Sequence, residues 1–332
     1  MKSEKPTLTE AGTSLRPLSL VQQLAQEDLS SRSASLYQLF KGDWSCEEKA
    51  LIATALLELL GRQPGLPDRA AFVLLLAELA RDWSALDRAE TPPDRQRRLR
   101  ATLVRGLPLY LELLETSEPQ LRLASLYLSA WLPEGRAQLL PVLLRRLEEE
   151  EVARVRAALA LALAQLAGDQ PQVRLHLTAL LKAPEAPIAR LGAALALTRL
   201  LRAETPMRAV RLLVRTIANP QVVAHDYDDL PWARNSVVAD SSDLLRLLPR
   251  RRLQFALPVL VEALASANYY EALSLARTLL YLGFASQRPG ISFQAATPTQ
   301  QAILSALRTS LSSWQASELL NTVEAQARLS AG

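Results

Sequence analysis

One cysteine and two histidines in 332 residues leave almost no thiol or imidazole chemistry to place. Cys46 alone excludes an intramolecular disulfide framework, and with only His176 and His225 beside it the chain cannot build a Cys/His structural zinc site. The expected compartment is the cytoplasm. Met1 to Gly12 carries Lys, Glu and Thr where an export signal needs an apolar run. Long apolar runs are missing elsewhere too. The stretch from Ala157 to Ala164 is bounded by Arg156 and Gln165, far short of the roughly 18 residues that span a bilayer, so no membrane partner is expected. Aromatic residues are only 5% of the chain. That disfavours single-stranded nucleic acid, whose bases need ring platforms to stack on, and leaves duplex DNA open through backbone contacts alone. No sign of charge dominates. With 38 basic and 34 acidic side chains the net charge is +4, which by itself names no partner.

Glycine is also sparse, at 11 residues, against a background of Leu, Ala and Arg. These are strong helix formers, and the fold class they imply is all-α. A period runs through them. Leu121-Arg122, Val155-Arg156 and Ala189-Arg190 stand 34 residues apart; Leu132, Leu166 and Leu200 keep the same register, as do the small residues Ala124, Ala158 and Gly192. In the second copy Val152, Val155, Leu159, Leu163 and Leu166 make one apolar stripe at the helical period. Alanines between them form a second packing face. A helix of this kind has to be covered on both sides, as happens when repeats stack.

A second helix type alternates with the first, marked by Leu107-Pro108, Leu140-Pro141 and Leu257-Pro258. Proline reads here as a start signal, because a first helical turn needs no N–H from it. Ser45 with Glu48, and Thr297 with Gln300, read as capping boxes. Thr91-Pro92, Glu118-Pro119 and Thr205-Pro206 pair a capping residue with Pro. The spacing predicts helices over 19–40, 45–61, 67–83, 93–116, 119–132, 138–150, 151–167, 171–183, 187–202, 206–218, 232–248, 252–266, 269–282, 298–311 and 313–329.

The Leu/Val-Arg-x-x-Ala-Leu pattern of one helix and the Leu-Pro-x-Leu pattern of the next resemble the HEAT-repeat (armadillo-like) superfamily, most clearly over 103–218. The resemblance implies an α-α superhelix, a solenoid of stacked antiparallel helix pairs, with the Pro-marked helices on the concave side. It implies a scaffold that binds a protein partner, not an enzyme. The expected organisation is a flexible segment 1–18 and one solenoid over 19–330, with degenerate repeats 19–102, clear repeats 103–218, an insertion 219–231, and C-terminal repeats and cap 232–330.

Once the apolar stripes are assigned, arginines remain on the Pro-marked helices. In 206–218, Val210, Leu213, Val214 and Ile217 take the core side and leave Arg208, Arg211 and Arg215 on one face. Arg174 with Lys182, the pair Arg145 and Arg146, and the run Arg250 to Arg252 stand on or beside neighbouring helices of that type. Aligned as in HEAT proteins, they make a basic band suited to an acidic protein segment; duplex DNA is the alternative. The 219–231 insertion, with His225, Tyr227 and the following Trp232, is expected to add partner contacts at one edge. It is no calcium loop, since counting from Asp226 puts Pro231 where Gly is required and Val237 where Glu is required. No cofactor and no metal is expected. Asp240 occupies a slot that is apolar in the clear repeats and marks either a groove or a slipped register.

Two enzymatic relatives share this repeat style. Arg81-Asp82-Trp83 with Asp87 resembles, faintly, a segment of the HEAT-like alkylpurine DNA glycosylases, which would need an aromatic-walled pocket beside Trp83. The HEAT-like bilin lyases would need a reactive side chain, for which Cys46 in a first helical turn is the candidate.

Overall fold

The computed structural model describes residues 15–25, 29–86, 93–182, 184, 186–233, 235–284 and 297–312, and among them there is no strand. The chain divides into two compact units, Met1–Arg146 and Leu147–Gly332.

The first unit holds α1 (Leu15–Leu24), α2 (Leu29–Lys41), α3 (Cys46–Arg62), α4 (Arg69–Leu86), α5 (Pro93–Arg105), α6 (Leu107–Leu114), α7 (Pro119–Ala130) and most of α8 (Arg136–Glu149). Helices α1, α3 and α5 pack side by side in one row, α2, α4 and α7 in another, and α1–α2, α3–α4 and α6–α7 join the rows. The capping box at Ser45 is present: its hydroxyl accepts from the Glu48 amide while the Glu48 carboxylate accepts from Ser45 N–H at 2.9 Å. The helix expected over 19–40 is two helices, and that expected over 93–116 is broken at Gly106. Gly106 has no room for a side chain, because the Tyr110 hydroxyl lies 2.3 Å from where its Cβ would stand.

The second unit continues with α9 (Ala153–Ala167), α10 (Pro171–Lys182), α11 (Pro187–Leu201), α12 (Met207–Ala218), α13 (Ala224–Asp228), α14 (Val237–Leu245), α15 (Leu257–Ser266), α16 (Tyr269–Phe284) and α17 (Pro298–Ser312). Here α9, α11, α14 and α16 form the central row, and α10, α12, α15 and α17 pack against it. The Leu/Ala helices are the ones enclosed: every residue from Ala157 to Ala164 is buried, as is every residue from Leu191 to Thr198. Gly192 permits this closeness, since a Cβ there would come within 2.6 Å of the Ala157 Cα. Further along, the Ser242 hydroxyl donates to Thr278 Oγ1 at 2.9 Å, tying α14 to α16 inside the core. The Thr297–Gln300 capping box also forms.

Pro141 is not a start signal. Helix α8 opens five residues earlier, behind a 3-10 turn begun by Pro133, and carries Pro141 in its interior. Thr205 does not cap α12 either; its hydroxyl donates back to the Arg202 carbonyl at 2.6 Å and Pro206 occupies the cap position. The helix expected over 232–248 is shorter, at Val237–Leu245. Thr91-Pro92 and the helix expected over 313–329 lie outside the described residues.

Candidate functional site

Helix α12 is amphipathic in the way its spacing dictates. Ala209, Val210, Leu213, Val214 and Ile217 are buried, and Arg208, Arg211 and Arg215 are exposed along the opposite face. At the helical rise of 1.5 Å per residue the three guanidinium stems spread over roughly 10 Å. Arg208 donates to the Lys182 carbonyl at 3.3 Å, which leaves its cation intact. Among the described residues none of the three faces a carboxylate within ion-pair distance.

The other expected arginines are differently placed. Arg174 grips Asp169 with two nitrogens, Nη2 at 2.6 Å and Nε at 3.2 Å, and that hydrogen-bonded carboxylate raises the guanidinium pKa further. Arg145 is paired with Glu115, and Arg146 stands 3.7 Å from the same carboxylate. Those two belong to the first compact unit and the other four to the second. In the Arg250–Arg252 turn, Arg252 is committed to structure, donating to the carbonyls of Ala203 and Thr205. Its neighbours Arg250 and Arg251 have no such partner among the described residues.

The insertion folds inward. Tyr227 is 1% exposed and its hydroxyl donates to Asp240 Oδ2 at 2.6 Å, while Trp232 is 6% exposed with Nε1 3.4 Å from Gln165 Oε1. Desolvation pushes the Tyr227 pKa up strongly, the Asp240 charge and hydrogen bond push it the same way, and Arg199 opposes them. Outside, Arg154 pairs with Asp229 and stands 3.8 Å from Asp226. Of the three insertion residues expected at a partner surface, only His225 is exposed; Tyr227 and Trp232 are walled in by their own unit. The one sequence signal for this arrangement was Asp240 in an apolar slot, because a carboxylate there needs a buried donor.

Cys46 is half-exposed at the first position of α3, where the amide of Glu48 is already taken by Ser45. The side chains of Asp82 and Trp83, and Asp87 altogether, lie outside the described residues. His176 has two contacts within its own unit: Nδ1 is 2.8 Å from the Gln172 carbonyl and Nε2 is 2.9 Å from Glu148. Among the described residues no group of three His, Cys, Asp or Glu side chains is placed to hold a metal ion, and no helix is long and apolar enough to cross a membrane.

Within each unit, rows of helices packed side by side and joined in pairs make an all-α, solenoid-type stacking. No family model and no curated protein matches the sequence. Solved structures similar to it include the complex of CpcE and CpcF of phycocyanin lyase from Nostoc sp., at 17% identity over 84% of this chain and 96% of that one, with a TM-score of 0.45. An engineered protein matches at 15% identity, 96% and 90% coverage and a TM-score of 0.35. Kap121p bound to Pho4p matches at 13% identity over 97% of this chain but 40% of that one, with a TM-score of 0.41.

Proposed function

We propose that this chain is a non-enzymatic scaffold that binds an acidic segment of a protein partner on the arginine face of α12. The observation that supports it is the contrast within one set of side chains: Arg208, Arg211 and Arg215 lack a carboxylate among the described residues, whereas Arg145, Arg146 and Arg174 each stand beside one. Cations left unneutralised on one helix face give a local positive field that attracts negative charge. His225, Arg250 and Arg251 are secondary contacts in this reading, and Arg145, Arg146 and Arg174 contribute only where a partner displaces their carboxylates. Tyr227 and Trp232 act by holding the insertion in place.

The test is the triple variant Arg208→Glu, Arg211→Glu and Arg215→Glu, assayed with a labelled Asp/Glu-rich peptide and with a duplex of about 20 base pairs. An acidic partner predicts peptide binding that the variant abolishes and that salt weakens modestly. Tight duplex binding with a steep salt slope would transfer the surface to DNA. Equal peptide affinity in the variant would remove the reading.

A further inference from the structure

The first unit carries a surface that the arginine face of α12 does not involve. Between α3 and the broken α5–α6 helix run two adjoining cavities of about 460 and 450 Å³, which share Thr54, Thr102 and Arg105 and so form one groove. Its α3 wall is Ala50, Leu51, Thr54, Leu57 and Gly61, one stripe at helical spacing; the facing wall offers Ala101, Thr102, Pro108 and Leu109 in the same rhythm. From Glu47 to Gly61 the α3 wall is about 21 Å long, the length of four helical turns.

Two properties decide what fits. The walls are lined largely by small or short side chains, so a backbone cylinder can settle close, while Leu51, 40% exposed, and half-buried Leu57 supply apolar contact. Walls with ridges at spacings of three and four accept a partner ridge of the same period, which an extended strand lacks. The charges are ordered as well. Arg98, Arg105 and Glu112 follow one another at seven-residue intervals on one side; on the α3 side Glu47 lies at the Arg98 end and Glu58, 3.3 Å from Arg62, at the far end. Among the described residues Arg98 and Glu112 have no ion-pair partner. Under the floor, the fully buried Tyr110 hydroxyl has no hydrogen-bond partner among the described residues and sits against Gly106, one of the lining residues.

We propose that this groove docks an amphipathic helix of a partner protein. The helix presents a Leu/Ala ridge to α3, carboxylates one heptad apart to Arg98 and Arg105, and a basic residue to the end between Glu58 and Glu112. The order of Arg98 and Arg105 ahead of Glu112 sets its direction, since two cations outweigh Glu47 at one end and the reversed helix would bring its carboxylates to Glu58 and Glu112.

The experiment uses the full chain and two synthetic helical peptides of about four turns. One carries the charge order above on a Leu/Ala ridge; the other has every acid and base exchanged. Fluorescence anisotropy should show the first binding and the second at least about tenfold weaker. Leu51→Glu, at an exposed position that leaves the helix intact by circular dichroism, should abolish binding. The double variant Arg98→Glu and Arg105→Glu should exchange the preference between the peptides. No binding of either peptide, or equal binding of both, overturns the proposal. The α12 triple variant should bind the first peptide unchanged, so this site and the α12 site fail independently.

Discussion

The Tyr227 hydroxyl donates a 2.6 Å hydrogen bond to Asp240, joining the insertion to α14 within a site where Tyr227 itself is 1% exposed. Arg199 bears on the same pair electrostatically. The phenol is shut away from water and the carboxylate is half-buried, so deleting the carboxylate strands the hydroxyl, whereas deleting the hydroxyl removes one of the carboxylate's contacts. Tyr227→Phe should therefore cost about 1–2 kcal/mol in urea unfolding, the ordinary net worth of a hydrogen bond to a half-buried carboxylate. The double change Tyr227→Phe with Asp240→Asn should cost less than the sum of the singles. Additive losses would show that the two residues do not act as a pair.

At the interface of α9 and α11, Gly192 lies where a Cβ would come within 2.6 Å of one Ala157 backbone atom and 2.9 Å of another. The neighbour is main chain, so it cannot swing aside. Gly192→Ala should destabilise the second unit by about 1–3 kcal/mol despite the better helix propensity of alanine, because overpacking outweighs the gain of up to about 1 kcal/mol. A denaturation midpoint at or above that of the parent would show that the two helices can separate without cost. The pairing variant Ala157→Gly, made on top of Gly192→Ala, should recover part of the loss.

His176 bridges α10 and α8 by donating to Gln172 and Glu148, both contacts that favour its protonated form. Its pKa is raised, chiefly by the Gln172 carbonyl and then by Glu148, against an opposing desolvation. A histidine whose folded pKa exceeds its unfolded value stabilises the fold fully below the unfolded pKa, near 6.5, and loses that contribution as pH rises through the folded one. His176→Gln should therefore lower the melting temperature at about pH 5.5 and have a smaller effect at about pH 8.5. Glu148 is 66% exposed, so solvent screens the pair and the difference should be small and salt-sensitive. A pH-independent loss would assign His176 a packing role only.

The enclosed helices were legible in the sequence because a Leu/Ala pattern with a 34-residue period has one solution, stacking, and α12 was legible because its arginines and apolar residues segregate cleanly. Pairing was not. Glu115 neutralises Arg145 from 30 residues away, and nothing in a helical stripe records which carboxylate a neighbouring helix will bring. The same blindness affects the insertion, where Tyr227 and Trp232 looked like surface aromatics in a polar loop but are buried against the half-buried Asp240 and Gln165. Pro141 misled for a local reason: proline suits a first turn, but α8 is already helical from Arg136, and Pro141 sits in its interior at the cost of one backbone hydrogen bond.

Arg202 ends α11 with φ 46° and ψ −111°, a backbone conformation that only glycine adopts without strain. The loop holds it there. Arg252 donates to the carbonyls of Ala203 and Thr205 on one side, and the Thr205 hydroxyl returns to the Arg202 carbonyl on the other. Because the Arg202 side chain is exposed, exchanging it removes little besides strain. Arg202→Gly should then raise stability by up to about 1 kcal/mol, the released strain being partly offset by the greater freedom of glycine in the unfolded chain. Arg252→Lys should lose stability, since an ammonium cannot reproduce the fork that spans two carbonyls. Combining the two tests whether strain and clamp are linked: with Gly at 202 the loop needs less restraint, so the cost of Arg252→Lys should shrink. An undiminished cost in the double variant would mean that Arg252 stabilises the loop by its own hydrogen bonds, independently of the strained residue it neighbours.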